Sequence, residues 1–363
     1  MSLKSGHNIV PVIYEDAVKQ YEQFRGNRVG TIRLDPDGWF LTSPFTNFAN
    51  KYFEFKFKPT DIVIVTYPKC GTTWTQEIVW TMVYNPNLDH PRAVLPVNAR
   101  CPFMELDFLR QSLPKPFLKP GKFLYDTFSH MHPNLNPDDG IFLQMAEHAE
   151  DPRIIKSHLP FSLLSPSLLQ NSKVIYVVRD PKDVAVSYCH HSRLFKVQDF
   201  TGTNSDFVDH FINDTLMYSP FWKHVQEAWD LRNQSNVHFI FYEDMKADPK
   251  TEILLLQKFL NLNLNESQID NIIHYTSFDV MKKREEKNLM RSEEEMAEIS
   301  NVEVEKKDGG FFRKGISGDY KNKLSSEDIE KLSKWTKENT QEMESDFKYK
   351  IKNVELIKLL FNK

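Results

Sequence analysis

The chain is poor in cysteine, has no long apolar run and shows no excess of positive charge. Its three cysteines, Cys70, Cys101 and Cys189, form an odd, widely spaced set. That excludes a disulfide framework and a cysteine zinc site, and it points to a reducing compartment. No stretch approaches the about 18 uninterrupted apolar residues of a membrane span, and the opening MSLKSGHNIV lacks the apolar centre of a signal peptide. The expectation is a soluble, cytoplasmic protein with no membrane partner. A net charge of -4 gives no general reason to expect nucleic acid as a partner, so any anion site has to be local.

What is present is ordinary globular material, 40% hydrophobic and 26% charged, enough for a real core. No internal repeat and no Gly/Ser linker divides residues 1–363, which are read as a single domain. Apolar runs at 61–66 (DIVIVT), 153–156 (RIIK), 173–178 (KVIYVV) and 237–242 (VHFIFY) alternate with helical periodicity at 72–84, 181–194, 219–232, 249–260 and 266–274. This alternation predicts an α/β fold with a central parallel sheet flanked by helices. Three segments break the rhythm. Residues 1–58 hold a helix-like stretch near 15–24 and a hairpin or edge strand around Gly38–Leu41. Residues 85–150 carry nine prolines, read as loop-rich and too long for an idle connection. Residues 282–308 are a mixed charge run ending at Gly309-Gly310, read either as solvated surface or as a mobile cover.

Directly after the first apolar run comes TYPKCGTTW, residues 66–74. A strand that stops at a glycine turn and restarts as a helix aims free N–H groups at one spot and attracts anions. A Walker loop places lysine after its last glycine, whereas here Lys69 precedes Gly71 and Thr72-Thr73 follow it. The cradle for a phosphate group is kept and the usual magnesium apparatus is lost. A plain strand-to-helix turn capped by Thr72 fits these nine residues nearly as well. A second cluster is RDPKDVAVS, with Arg179 at the carboxyl end of a strand and Ser187 about two turns into the next helix. Together they can hold a dianionic phosphate, although Arg179 paired to Asp180 or Asp183 is the ordinary alternative. A third is FFRKGISGDY, where Arg313, Lys314 and Gly315 set two cations on flexible backbone. Four histidines, His148, His158, His190 and His191, are equal candidates for a general base on residue chemistry alone.

Taken in order, these stretches resemble the cytosolic sulfotransferase family: TYPKCGTTW its 5′-phosphosulfate loop, RDPKDVAVS its 3′-phosphate strand and helix, and RKGISGDYKN its RKGxxGDWKN signature. KSHLP (156–160), YEDM (242–245), YTSF (275–278) and PFME (102–105) extend the likeness over roughly residues 40–325. The resemblance implies a P-loop-like strand-loop-helix for phosphosulfate. It also implies transfer of the sulfuryl group from 3′-phosphoadenosine-5′-phosphosulfate to a small lipophilic alcohol, phenol or amine, without a metal. It implies Lys69, Gly71, Thr72 and Thr73 at the 5′ end, Trp74 and Phe278 around the adenine, and Arg179, Ser187, Arg313, Lys314 and Gly315 at the 3′-phosphate. Tyr242 and Thr276 are further nucleotide contacts. His158 is singled out as general base, with Lys69 and Lys156 stabilising the transferring group. Phe103, and after it Phe45, are the acceptor-pocket candidates, and Glu105 is a hydrogen-bonding partner of the pocket loop.

Departures from the family pattern bear on other expectations. Cys70 stands where a serine or another small residue is usual, and Tyr320 where tryptophan is usual. The family's dimer motif survives only at its ends, Lys321 and Glu330, which favours a monomer or weak homodimer. Three rival readings remain at the level of sequence. A P-loop nucleotide kinase would lean on Glu243-Asp244 for magnesium, and a non-catalytic nucleotide-binding protein would keep only the cradle. A family member could instead give net dehydration of an activated alcohol such as a retinoid.

Overall fold

The computed structural model describes residues 2–13, 15, 18–113, 119–287 and 297–350. Strands β1 (Asn8–Val12), β2 (Thr31–Asp35) and β3 (Trp39–Thr42) form a small antiparallel sheet in that order. β4 (Ile62–Val65), β5 (Ile154–Ser157), β6 (Lys173–Val178) and β7 (Val237–Phe241) form a parallel sheet in the order β5-β4-β6-β7. The helices between and after them include α1 (Thr72–Tyr84), α2 (Pro181–Leu194), α3 (Phe221–Leu231), α4 (Pro249–Leu260), α5 (Glu266–Tyr275) and α6 (Phe278–Lys287).

The two-residue period of a strand sends alternate side chains to opposite faces, and here it divides the interior in two. Val63, Val65, Val174, Tyr176 and Val178 join a core with Tyr188, Val225 and Trp229. Ile62, Ile64, Ile175 and Val177 join another with Ile78 and Trp80 of α1, Leu256 of α4 and Ile272 of α5. Continuous apolar strands are what a sheet covered on both faces requires.

Three predicted spans coincide with the observed ones, 72–84, 181–194 and 249–260. α2 and α4 begin at Asp-Pro, with Asp180 and Asp248 accepting from first-turn amides. The run 61–66 forms strand over Ile62–Val65, with the Asp61 carbonyl and the Thr66 amide still bonded to neighbouring strands. The expected hairpin around Gly38–Leu41 forms and gains β1 as a third strand. The helix-like stretch near 15–24 is a helix over Val18–Gln23, its residues 14, 16 and 17 lying outside the described ones.

The loop-rich reading of 85–150 is corrected. The segment carries helices at Val97–Arg100, Leu106–Gln111, Phe123–Met131 and Ile141–Glu147. Pro91, Pro96 and Pro137 sit at or just before helical starts, where a missing N–H costs nothing. Pro114 and Pro116 fall outside the described residues. Of the charge run 282–308, α6 and the helix Val302–Asp308 are described, and 288–296 is not.

Asp61 ends the sheet with a buried ion pair to Arg153. The guanidinium donates to the carboxylate through Nε at 2.7 Å and also to the carbonyls of Lys56 and Glu147, each at 3.0 Å. Both side chains are almost fully enclosed. Replacing Asp61 by Asn leaves the Arg153 charge buried without a counter-charge, so Asp61→Asn is expected to lower unfolding stability by about 3 to 5 kcal/mol. Urea unfolding measures it, and a loss below about 1 kcal/mol would contradict the strength assigned to this pair.

Candidate active site

The carboxyl ends of the four parallel strands open into one cleft, the place where such sheets bind ligands. β4 delivers residues 66–72, β5 delivers His158, β6 delivers Arg179 and β7 delivers Tyr242. Among the residues lining the cleft are six cations, Lys69, Lys156, Arg179, Lys246, Arg313 and Lys314, and no carboxylate among the described residues.

The loop after β4 turns through two left-handed residues, Lys69 at φ 70° and Gly71 at φ 105°. A side chain at Lys69 is strained there, while Gly71 is required, since a Cβ would come within 2.6 Å of the Tyr242 ring. The turn points the first amides of the 13-residue α1 into the cleft. The Thr72 hydroxyl lies 2.6 Å from that of Thr66. The Lys69 ammonium rests 4.2 Å from the centre of the Phe311 ring. Burial, then Lys156, Arg179 and Arg313, push it down to about 7. Lys156 sits over the Phe103 ring at 3.9 Å and is pushed down to about 8, mainly by burial. Cys70 is fully buried and its thiol is pushed up to about 12 by burial, which makes it unreactive.

Across the cleft, Arg179 donates to the carbonyl of Ile316 at 3.1 Å and lies 4.4 Å from the centre of the Tyr242 ring, while its Nε has no partner. Its nearest carboxylate, Asp183, is 3.8 Å away. Asp183 instead accepts from the amides of Gly318 (2.7 Å) and Tyr320 (3.3 Å), fastening the 313–320 loop to α2. Asp319 pairs with Arg313 at 2.6 Å and Lys314 at 3.0 Å, so the two basic side chains are held in one place. Gly315 is packed so closely on Phe278 that a Cβ would lie 2.2 Å from that ring. Trp74, edge-on to Tyr242 at 5.7 Å, and Phe278 both line the cleft, and the buried Trp74 indole nitrogen has no partner.

His158 is fixed from behind. Its Nδ1 is 2.8 Å from the Thr66 carbonyl. A carbonyl only accepts, so Nδ1 carries the proton and Nε2 keeps its lone pair. Burial first, then Lys156, holds the ring well below its ordinary 6.5, so it is neutral. The segment carrying it hangs on Glu105, whose Oε1 accepts from the Ser157 hydroxyl (2.6 Å) and the amides of His158 (2.6 Å) and Leu159 (2.8 Å). Burial pushes Glu105 up to about 7 despite those donors. Phe103 extends the sheet edge: the Lys156 amide donates to the Pro102 carbonyl, and the Phe103 ring meets His158 edge-on at 5.1 Å.

The cleft thus brings together Lys69, Gly71, Thr72, Thr73, Trp74, Phe103, Lys156, His158, Arg179, Ser187, Tyr242, Phe278, Arg313, Lys314 and Gly315. Three expected residues are not among those lining the cleft. Phe45 is core, 1% exposed and edge-on to Phe108 at 5.5 Å, so its acceptor-pocket assignment is withdrawn. Thr276 is buried at the end of α5 and donates to the Ile272 carbonyl at 2.8 Å. Glu105 supports the loop from outside the cleft rather than lining it. His148 lies outside the cleft and His190 contacts the Gly310 carbonyl at 3.1 Å. Asp183 was missed: it reads as an ordinary first-turn acid, and its partners are far away in sequence. Among the described residues no group of three or more His, Cys, Asp or Glu is placed to hold a metal, and no helix is long and apolar enough to cross a membrane.

A strand-loop-helix cradle facing a fixed neutral histidine defines an α/β group-transfer site for an anionic nucleotide. Residues 59–344 match the sulfotransferase domain family. The chain belongs to that family, in its cytosolic branch, and is a sulfotransferase that uses 3′-phosphoadenosine-5′-phosphosulfate. It is 33% identical over 299 residues to luciferin sulfotransferase of Photinus pyralis, covering 81% of this chain and 75% of that one. It is 37% identical over 268 residues to sulfotransferase 1A1 of Mus musculus, covering 73% and 79%. It is similar in structure to retinol dehydratase in complex with androsterone and the inactive cofactor PAP, with a TM-score of 0.75 and 26% identity over 93% of this chain and 96% of that chain.

The geometry at His158 sets one expectation. At pH 6, nitrogen-15 NMR is expected to show this ring neutral with its proton on Nδ1, below the ordinary midpoint of about 6.5. An imidazolium signal at that pH, or a proton on Nε2, would contradict the arrangement.

Proposed function

We propose that residues 1–363 act as one cytoplasmic catalytic unit, monomeric or weakly dimeric, that sulfonates a hydroxyl of a small lipophilic alcohol or phenol, or an amine. The observation that carries this reading is the neutral His158 ring, with Nε2 free, in the same cleft as Lys69 and Lys156. The fit of the donor rests on the excess of cations without carboxylates, the orphaned Arg179 Nε and the two glycines whose Cβ atoms would collide with aromatic rings. Bound there, 3′-phosphoadenosine-5′-phosphosulfate supplies the sulfuryl group.

The chain's own residues divide the work. Lys69, with the amides of Gly71, Thr72 and Thr73, neutralises charge on the departing 5′-phosphate, a role that cations fill without a metal. Arg179, Ser187, Arg313, Lys314 and Gly315 hold the 3′-phosphate. Trp74 and Phe278 flank the base, and Tyr242 closes the site between Gly71 and Arg179. His158 Nε2 takes the acceptor's proton, Lys156 shares charge on the transferring group, and Phe103 orients the acceptor against both. Expected contacts through Thr276 and Phe45 are not part of this assignment.

A second reading, net loss of water from an activated alcohol, is favoured by the 93% coverage shared with retinol dehydratase. Product mass separates the two, since a sulfate ester is heavier than its alcohol and an alkene is lighter.

His158→Ala is expected to lower turnover by at least about 100-fold while leaving affinity for adenosine 3′,5′-bisphosphate within about threefold. Turnover with labelled donor and calorimetry measure the two, and retained turnover would refute the base assignment. The second expectation concerns pH. With Lys69 near 7 in the protein alone, a bound anion raises that value, so binding takes up a proton above pH 7. Affinity for the bisphosphate should therefore be greatest below pH 7 and fall by up to about tenfold per pH unit above it. A flat profile from about pH 6 to 9 would remove Lys69 from the nucleotide site.

A further inference from the structure

His191 lies one turn beyond Ser187 on α2 and lines the cleft with His158, Lys69 and Lys156. The two histidines differ in one respect. His158 has an orienting carbonyl, whereas the Nδ1 of His191 is buried with no partner. With Nδ1 closed off, Nε2 is the nitrogen left to face the cleft. Sealing an N–H away without an acceptor is rarely tolerated, so the buried Nδ1 holds the lone pair and Nε2 carries the hydrogen. Burial first, then the charges of Lys69 and Lys156, keeps this ring neutral as well. Its neighbours are Phe195 at 4.7 Å, Tyr188 at 6.1 Å and Phe311 at 6.3 Å. The cleft that it lines also carries the apolar side chains of Val197, Met217 and Met281. A hydrocarbon packed there would leave the His191 N–H without an acceptor, which costs more than a gap filled by an oxygen.

We propose that His191 is a specificity-determining residue whose Nε2–H donates to a second oxygen of the acceptor, so that the preferred acceptor is a lipophilic molecule bearing a hydroxyl or carbonyl besides the group that is sulfonated. This rests on the sulfotransferase reading and narrows its substrate class. It also separates the two rings: His158, held by Thr66, handles the proton, and His191, held by no polar group, reads the acceptor.

The test compares naphthol with a set of naphthalenediols that place the second hydroxyl at different ring positions. kcat/KM is measured with labelled donor, and dissociation constants are measured in the presence of adenosine 3′,5′-bisphosphate. The wild-type protein is expected to favour at least one diol over naphthol by about tenfold or more in both quantities, the worth of one good hydrogen bond to a buried donor. In His191→Phe that ratio is expected to fall to within about twofold of unity, and in His191→Gln, which keeps an N–H donor, to recover in part. Because each ratio is taken within one preparation, partial loss of folded protein cancels. A ratio in His191→Phe that matches the wild type, or a wild type that treats all the compounds alike, overturns the assignment. So does a kcat defect of equal size on every acceptor, which would mark a proton-transfer role instead. Absence of sulfonated product with all compounds, alongside a normal diol preference in binding, would count against the sulfotransferase reading and leave the role of His191 standing.

Discussion

The structure depends on positive charge that is kept available. Lys69 and Lys156 sit at the ends of adjacent strands and meet aromatic faces rather than carboxylates, at 4.2 and 3.9 Å. A ring face holds an ammonium in position without neutralising it. Burial first, and then repulsion from Lys156, Arg179 and Arg313, pushes Lys69 down to about 7, a penalty that an incoming polyanion relieves. The acids that come near are used for building. Asp183 and Asp319 tie the 313–320 loop together and to α2, and neither is among the residues lining the cleft.

Holding such a site open requires a rigid base, and the parallel sheet provides it. A non-glycine residue at φ 70° costs of the order of 1 kcal/mol, and Lys69 is kept there because β4 is buried on both faces. The same logic extends to His158. Its ring is held by a backbone carbonyl of the β4 loop and its peptide by Glu105, so imidazole and anion loop are fastened to each other through Thr66. Glu105 accepts three short hydrogen bonds, and its position fixes the segment that carries the imidazole.

Much of this was legible in the sequence, for reasons that differ by residue. The spans of α2 and α4 follow from Asp-Pro punctuation, and the four strands follow from continuous β-branched runs, both local signals. The placement of Lys69, Arg179, His158 and Arg313 in one cleft follows from motif order. What was illegible is decided by distant partners. Phe45 and Phe103 are both phenylalanines beside a proline in irregular segments, and only packing sends one onto Phe108 and the other into the cleft. Thr276 matches a nucleotide contact in its motif, yet it is buried off the cleft lining and donates to the helix carbonyl four residues back. Prolines made 85–150 look like loop because position within a helix, rather than count, decides what a proline does.

Two of the rival readings, the kinase and the carrier, are opposed by where particular side chains are spent. A kinase would need a carboxylate free to anchor a divalent ion near the phosphates. Glu243 instead accepts from the Asp180 amide at 3.1 Å and from the Tyr349 hydroxyl, and Asp244 pairs with Lys348 at the surface. Those contacts fasten β7 to the start of α2 and to the carboxyl-terminal region, so the pair that looked like a metal anchor is a structural clasp. A protein that only bound the nucleotide would need the cations and the glycine turn but would gain nothing from an imidazole held in one tautomer beside them. The Thr66 carbonyl, by fixing the proton on Nδ1, leaves Nε2 unprotonated in a ring that burial first, and then the charge of Lys156, keeps neutral. That arrangement has a cost in desolvation which binding alone would not require.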